Sequence, residues 1–300
     1  MFKRILLFVL TNILVIATIT IVLQILGIGN YLTERGIDYG ALLAFCLVWG
    51  MVGAFISLGL SRIMAKWSMR VRVIDPRNPG EYRDLVAMVQ AMSQKAGLPA
   101  LPEIGVYESA DINAFATGPS KRRSLVAVST GLLQRMDRDQ VEGVIAHEVA
   151  HIANGDMVTM TLIQGVINAF VMFFARVAAY AVTAAMRRGD SEQGGGHMLQ
   201  FMLVMVFQIV FGLLGSIVVA WFSRLREFRA DRGGALYAGK AKMIAALQGL
   251  QRVYGRPVPE EEEHASLNTL KISGRKPGGL VALLSTHPPL EMRIARLQER

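Results

Sequence analysis

Two histidines and a glutamate interrupt an otherwise apolar helical stretch, Val144-Ile-Ala-His-Glu-Val-Ala-His-Ile-Ala-Asn-Gly-Asp156. Burying such groups costs free energy unless each meets a partner. His147 and His151 are four residues apart, so on a helix both imidazoles lie on one face, one turn apart, and reach a single ion. Glu148 projects beside the first imidazole and off the metal axis, where a base for a bound water is needed. The chemistry this spacing offers is metal-assisted hydrolysis. Read structurally, the same residues are two hydrogen-bonded core histidines. A catalytic zinc takes three protein ligands and keeps one position open, so the hydrolytic reading requires a third donor from elsewhere in the chain.

The candidates for that donor are few. His197 and Glu192 fall in the loop between the third and fourth apolar runs, on the opposite side of the membrane. Glu260–Glu263 with His264 follow Pro257 and Pro259 and read most simply as a solvated acidic loop or helix start. In "SRLREFRADRGG" Glu227 and Asp231 are again four apart on one helical face. That spacing suits Glu227 as third ligand and Asp231 as acceptor of a ligand histidine's second N–H, the usual orienting role. The competing account is ordinary charge alternation on an Arg-rich helix beside a membrane. Two apolar runs separate Glu227 from the histidines, an even number, which returns both to the same face.

Those runs dominate the chain. Of 300 residues, 52% are hydrophobic and 18% charged, and mean hydropathy is +0.38, too apolar for a soluble domain. Four stretches are long enough to cross a bilayer: Ile5–Gly27, Gly40–Leu60, Met157–Met186 and Met198–Phe222. Only the third carries a charge, Arg176. Lys3 and Arg4 precede the first run, but it is too long for a signal peptide and no small-residue cleavage site follows, so it reads as an uncleaved span. The net charge of +9 is not a nucleic-acid signature, because the basic residues gather beside the spans: Lys3 and Arg4; Arg62, Lys66, Arg70 and Arg72; Arg224, Arg226 and Arg229. That is the positive-inside pattern, with attraction to anionic headgroups. The opposite loops are short and charge-balanced, so both termini and both long polar segments are expected in the cytoplasm. The Gly194-Gly195-Gly196 run reads as a flexible linker, not a phosphate loop. A single cysteine, Cys46, excludes an internal disulfide and a thiolate metal cluster. The 16 methionines read as flexible packing and not as a copper site.

The expected organisation is two N-terminal spans in 1–60, a first catalytic segment in 61–156, a transmembrane hairpin in 157–222 and a second catalytic segment in 223–300. In the first polar segment a helix opens at Gly80 and Glu81 and closes at Gly97 and Pro99. Short strands follow at Ile104–Tyr107, Ile112–Thr117 and Leu125–Ser129, the last two flanking the turn Gly118-Pro119-Ser-Lys-Arg-Arg-Ser124 as a hairpin. Asp137 with Gln140 has capping-box spacing before the histidine helix, Gly155 ends that helix, and Asp156 is placed to cap the next.

Four separated motifs in order, "AHEVAHIANGDMVTMTLIQG", "REFRAD", "DINAFATG" and "THPPLEMRI", give the chain a family likeness over essentially its whole length. It resembles the HtpX-type integral-membrane zinc metallopeptidases of bacteria, relatives of the eukaryotic CAAX prenyl endopeptidases. The resemblance implies a mainly α membrane protein with four transmembrane helices and an α+β, gluzincin-like cytosolic catalytic domain with a small β-sheet. It implies one zinc ion per subunit held by His147, His151 and Glu227, with Glu148 as general base. By the same resemblance His287 and Arg293 lie by the metal and contact substrate or transition state, against the plainer account of a helix-start histidine and a surface arginine. "INAFATG" looks like the edge strand on which zincins lay an extended peptide, so that Asn113, Ala114 and Phe115 contact substrate; the alternative is a hairpin strand with Phe115 in the core. The implied partners are unfolded or damaged membrane proteins and membrane lipids, with no nucleic acid, and the implied setting is stress-related quality control at the bacterial inner membrane.

Three rivals remain on these residues. An intramembrane-cleaving protease would bury the histidine motif within a span, yet Arg135, Asp137, Arg138, Asp139 and Glu142 crowd the helix just upstream. A prenyl-processing endopeptidase would be expected to be longer, with more spans. A catalytically dead scaffold with structural zinc would have no need of Glu148.

Overall fold

The structure is a computed structural model that describes residues 2–28, 32–33, 36–187, 196–254 and 283–299. Its long helices are α1 (Phe2–Ile25), α2 (Tyr39–Ser68), α6 (Asp156–Arg187) and α7 (Gly196–Ala238). Shorter elements fill the polar segments: α3 (Arg83–Lys95), α4 (Thr130–Arg135), α5 (Arg138–Asn154), α8 (Lys240–Tyr254), α9 (Leu290–Gln298), and strands β3 (Arg72–Ile74), β4 (Glu103–Tyr107), β5 (Ala114–Ser120) and β6 (Arg123–Ser129). A two-residue pair, β1 (Leu32–Thr33) and β2 (Gly36–Ile37), precedes α2. The chain divides into two compact units, Met1–Ser57 with Thr161–Val219, and Leu58–Met160 with Ala220–Arg300.

The first unit is helical and apolar. Among the described residues three helices are long and apolar enough to cross a membrane: Tyr39–Ser68, Asp156–Met186 and Met198–Ala238. The remaining expected run falls in α1, a helix of 24 residues. Large side chains such as Phe55, Phe170, Phe174, Ile209 and Leu213 face outward, as they do in a lipid solvent. Small residues let α2 and α6 approach: a Cβ on Gly50 would come within 2.5 Å of the Gly165 carbonyl, the close packing that membrane helices use in place of a hydrophobic drive. Arg176, the charge within the third run, donates to the Met172 carbonyl at 3.1 Å and lies 5.7 Å from the centre of the Phe45 ring. Satisfied in this way, the charge is tolerated among apolar neighbours.

The second unit carries the polar chemistry. Its four-stranded sheet has the order β3-β4-β6-β5, with β4 parallel to β6 and the other pairs antiparallel. The apolar faces of α3, α4, α5 and α8 close over the sheet in one core, through Leu85, Val89, Met92, Ile104, Val126, Leu132, Ile145 and Leu250. The hairpin lies where the turn residues put it, with a bulge between Thr117 and Ser120. Strands β5 and β6 run on into the expected turn, to Ser120 and from Arg123, and other boundaries also differ from the sequence reading. A strand β3 occupies the basic stretch after α2; only Ile74 of its three residues is buried, too little alternation to register as a pattern. The first helix begins at Arg83, after a 3-10 turn over Gly80–Tyr82. Strand β5 begins at Ala114 and not at Ile112, because both backbone groups of Asn113 are engaged by Ser129, N–H to Oγ at 3.0 Å and C=O to N–H at 2.9 Å.

Two local features set the histidine helix. Asp137 Oδ1 accepts the Gln140 N–H at 2.9 Å and starts α5. At its other end Gly155 takes the left-handed conformation at φ 72°, and its N–H returns to the carbonyls of His151 and Ile152. Helix α7 runs unbroken from its apolar portion through Phe222 to Ala238, so one rod carries Glu227 and Asp231. Gly233 and Gly234 bring that rod against α5: a Cβ on Gly233 would meet Ala150 at 2.6 Å, and one on Gly234 would lie 3.3 Å from the His147 backbone nitrogen and 2.6 Å from Met243 Sδ.

Candidate active site

Close packing of α5 on α7 brings three donors to one point. His147 Nε2 and His151 Nε2 are 3.1 Å apart. Glu227 turns one oxygen to each, Oε1 to His151 Nε2 at 3.3 Å and Oε2 to His147 Nε2 at 3.5 Å. A tetrahedral ion with zinc-like bonds of about 2.0–2.1 Å sets its donors about 3.4 Å apart, so the observed triangle fits such an ion. His147, His151 and Glu227 are also the one group of metal-capable side chains found among the described residues. His147 and Glu227 are buried, at 3% and 0% exposure, and His151 is partly open.

The remaining ring nitrogens point away from that triangle toward carboxylates. His147 Nδ1 is 3.0 Å from Asp231 Oδ1, and His151 Nδ1 is 2.7 Å from Asp156 Oδ2. A carboxylate accepts at each of these contacts, so each Nδ1 carries a hydrogen, and loss of the Nε2 proton leaves that nitrogen's lone pair facing the centre. Burial alone would lower the His147 pKa, but the hydrogen bonds it donates to the Asp231 and Glu227 carboxylates outweigh it and lift the imidazole to about 9. His151 is raised as well, burial again opposing and Asp156 and Glu227 prevailing. A metal entering this centre displaces protons, the usual coupling of metal affinity to pH.

Glu148 is buried beside His147 and His151 on α5. Burial raises its carboxyl above the ordinary range, with the two imidazoles pulling partly the other way. A carboxylate biased upward is a better proton acceptor, the adjustment a general base requires.

His287 lies just before α9, with Nδ1 2.9 Å from Glu227 Oε2 and its side chain 18% exposed. Arg224, one helical turn before Glu227, donates to the Leu283 and Ser285 carbonyls at 3.1 and 2.7 Å and ties the segment leading to His287 onto α7. Arg293 is placed differently from the surface-facing or substrate-facing residue that the sequence suggests. It is fully buried, with Nε 2.8 Å from Asp231 Oδ2, Nη2 2.6 Å from Oδ1 and Nη1 3.5 Å from Glu227 Oε2. A bidentate guanidinium of this kind holds the Asp231 carboxylate, while its Nη1 is buried with no hydrogen-bond partner among the described residues.

Asn113, Ala114 and Phe115 lie at the start of β5, the strand beside which α5 packs. All three are buried; Ala114 belongs to the main core, and Phe115 packs with Tyr107, Leu125 and Ala127, its ring 5.7 Å from that of Tyr107. The Ala114 and Phe115 side chains therefore serve the core, while β5 is the outermost strand of its sheet and α5 packs beside it. Asn113 Oδ1 is buried without a hydrogen-bond partner among the described residues. Glu192, Glu260–Glu263 and His264, the alternative donors, lie outside the described residues, as does the side chain of His197. Asp156, read from the sequence only as a helix start, is the residue at the site that the motif spacing missed. Nothing in a pattern reader's view of "HIANGD" shows that the chain folds back at Gly155.

Comparison with known proteins now bears on the chemistry. A model of peptidase family M48 matches residues 79–300. The chain belongs to peptidase family M48. It is a metallopeptidase of the HtpX type: the "Protease HtpX homolog" of Bacillus licheniformis is 55% identical over 99% of both chains. Those of Bacillus subtilis, at 52% over the full length of both, and of Methylacidiphilum infernorum, at 49% over 99% of both, are similar. In fold it is similar to the crystal structure of S. mikatae Ste24p, with a TM-score of 0.62 at 18% identity over 85% of this chain; it spans 58% of that chain's length. Apolar helices and family together make this M48 peptidase an integral membrane protein that acts on protein substrates and contacts lipid.

The geometry makes two separable demands on Glu227 and Asp231. Glu227→Gln keeps the shape but removes the anionic donor, and metal content of the purified protein should fall to background. Asp231→Asn keeps an acceptor for His147 and should weaken metal binding by about 10–100-fold, as losses in the outer shell do. Asp231→Ala should also lower the melting temperature, since it strands a buried guanidinium at a cost of about 3–5 kcal/mol. Chelator competition and thermal melting measure the two effects; full metal content in Glu227→Gln would move the third ligand elsewhere.

Proposed function

We propose that this M48 peptidase is a zinc-dependent endopeptidase of the bacterial inner membrane. It has four transmembrane helices and a gluzincin-type α+β catalytic part, in two chain segments, on the cytosolic side. Its substrates are unfolded or damaged membrane proteins, cleaved in stress-related quality control. One observation carries the reading: two imidazole Nε2 atoms and a carboxylate converge within about 3.5 Å beside a buried glutamate that is no part of the donor set. The quality-control role rests on the resemblance to the HtpX-type peptidases.

His147, His151 and Glu227 hold the zinc. A zinc ion held there would supply Lewis acidity, polarising the scissile carbonyl and acidifying the attacking water. Glu148 takes the proton of the attacking water and delivers it to the leaving amine, a role that its raised pKa favours. His287, adjacent to Glu227 and partly open, donates to the oxyanion that develops on the scissile carbonyl. Arg293 acts through Asp231 and Glu227, fixing both carboxylates, and does not touch the peptide. The substrate pairs by its backbone along the open edge of β5, and the unpaired Asn113 Oδ1 at the start of that strand offers an acceptor. The basic groups at Arg62, Lys66 and Arg70, and at Arg224, Arg226 and Arg229, favour the cytosolic side.

Glu148→Gln should bind zinc and melt as the unmodified chain does while losing at least about 100-fold in cleavage of an unfolded protein, the usual size of a general-base contribution. Equal turnover by this variant would defeat the mechanism.

Orientation is tested separately by cysteine labelling in a Cys46→Ser background. Ser191→Cys should react with an impermeant maleimide added to intact spheroplasts, and Arg122→Cys, in the exposed β5–β6 turn, should be spared. Labelling of position 122 from outside would invert the site.

A further inference from the structure

Asp156 has a place in the fold that its position in the sequence conceals. A residue five after His151 on a continuous helix would lie roughly 140° around the axis from it. Gly155 prevents this: at φ 72° it ends α5, and the next helix, α6, opens with Asp156 turned back toward the residue it has just passed. Asp156 Oδ2 then lies 2.7 Å from His151 Nδ1, in a setting that leaves Asp156 only 1% exposed. Its second oxygen, Oδ1, is 3.6 Å from Arg229 Nη2, on the same helix as the ligand Glu227.

We infer that Asp156 is a positioning residue of the metal site, fixing the His151 imidazole in the tautomer and rotation that offer Nε2 to the metal, with Arg229 as a nearby counter-charge that makes no hydrogen bond to it. The inference rests on the proposed reading of His147, His151 and Glu227 as ligands. The two histidines are served by matching arrangements from different parts of the chain. His147 is backed by Asp231 and Arg293, and His151 by Asp156 and Arg229. The first relay is wholly buried. The second is the more open, since the Arg229 side chain is 52% exposed. An acidic residue in the first turn of α6 also suits the positive end of that helix. That service needs neither near-complete burial nor a 2.7 Å contact with an imidazole, and the two roles make different predictions.

The test uses the full-length chain purified in detergent, with zinc affinity measured by chelator competition and ligand geometry by the visible spectrum of the cobalt-substituted protein. Asp156→Ala should weaken zinc binding about 10–100-fold, the range of outer-shell partners, and change the cobalt spectrum. Asp156→Asn, which still accepts the Nδ1 hydrogen, should lose less, and Arg229→Gln less than Asp156→Ala. The melting temperature of the metal-free protein should stay near that of the unmodified chain in Asp156→Asn. If Asp156→Ala does not fold, Asp156→Asn carries the test through its affinity and spectrum. Unchanged affinity and spectrum in these Asp156 variants, with His151→Ala losing zinc, would overturn this inference alone. A lowered metal-free melting temperature with unchanged affinity would reduce Asp156 to a helix-start residue and overturn it equally. Unchanged affinity in His151→Ala would remove the ligand reading together with the inference built on it.

Discussion

Charge held out of water is the constraint from which the rest of the catalytic unit follows. Two imidazoles and a carboxylate meet at a point where His147 and Glu227 are almost wholly buried, with a second carboxylate, Glu148, alongside. Ionised groups so placed are costly unless counter-charge and hydrogen bonds compensate. Each of the surrounding polar residues meets part of that demand. Asp231 and Asp156 take the outer N–H groups of the histidines, and Arg293 neutralises Asp231 and approaches Glu227. The place at the centre is suited to a divalent cation, which can take two Nε2 lone pairs and a carboxylate together.

Such precision needs rigid supports, and the fold supplies helices. Helix α7 extends without a break from its apolar portion to Ala238, so Glu227 and Asp231 stand on a rod whose other end is in the apolar unit. The absence of side chains at Gly233 and Gly234 sets how near that rod comes to α5, which fixes the reach from Glu227 to the two imidazoles. On the opposite side, the left-handed Gly155 converts the end of α5 into the start of α6 with Asp156 facing back. The same elements that make the chain a membrane protein therefore shape its metal site.

How much of this was legible in the sequence depended on the range of the signal. Patterns spanning one or two turns were readable: the i, i+4 pairs His147/His151 and Glu227/Asp231, the Asp137 cap, the glycine stop at 155 and the β5–β6 turn. The long apolar runs were readable because bilayer thickness sets their length, and three of them appear as helices of sufficient length and hydropathy. Features that depend on pairing between distant residues were not. Strand β3 is too short to alternate. Arg293 has the look of a surface arginine on α9 until Asp231 is found against it, 62 residues away in sequence. The engagement of Asn113 by Ser129 shifted the start of β5, and the return of Asp156 to His151 required a turn geometry that residue types only permit.

X-ray absorption at the zinc edge, on purified protein loaded with one equivalent of zinc, addresses the central claim most directly. Two imidazoles with nitrogen and oxygen donors at about 2.0–2.1 Å, and no sulfur, are expected for a site built from His147, His151 and Glu227. A sulfur contribution near 2.3 Å, which only Cys46 or a methionine could supply, or a shell lacking two imidazoles, would contradict the site as described.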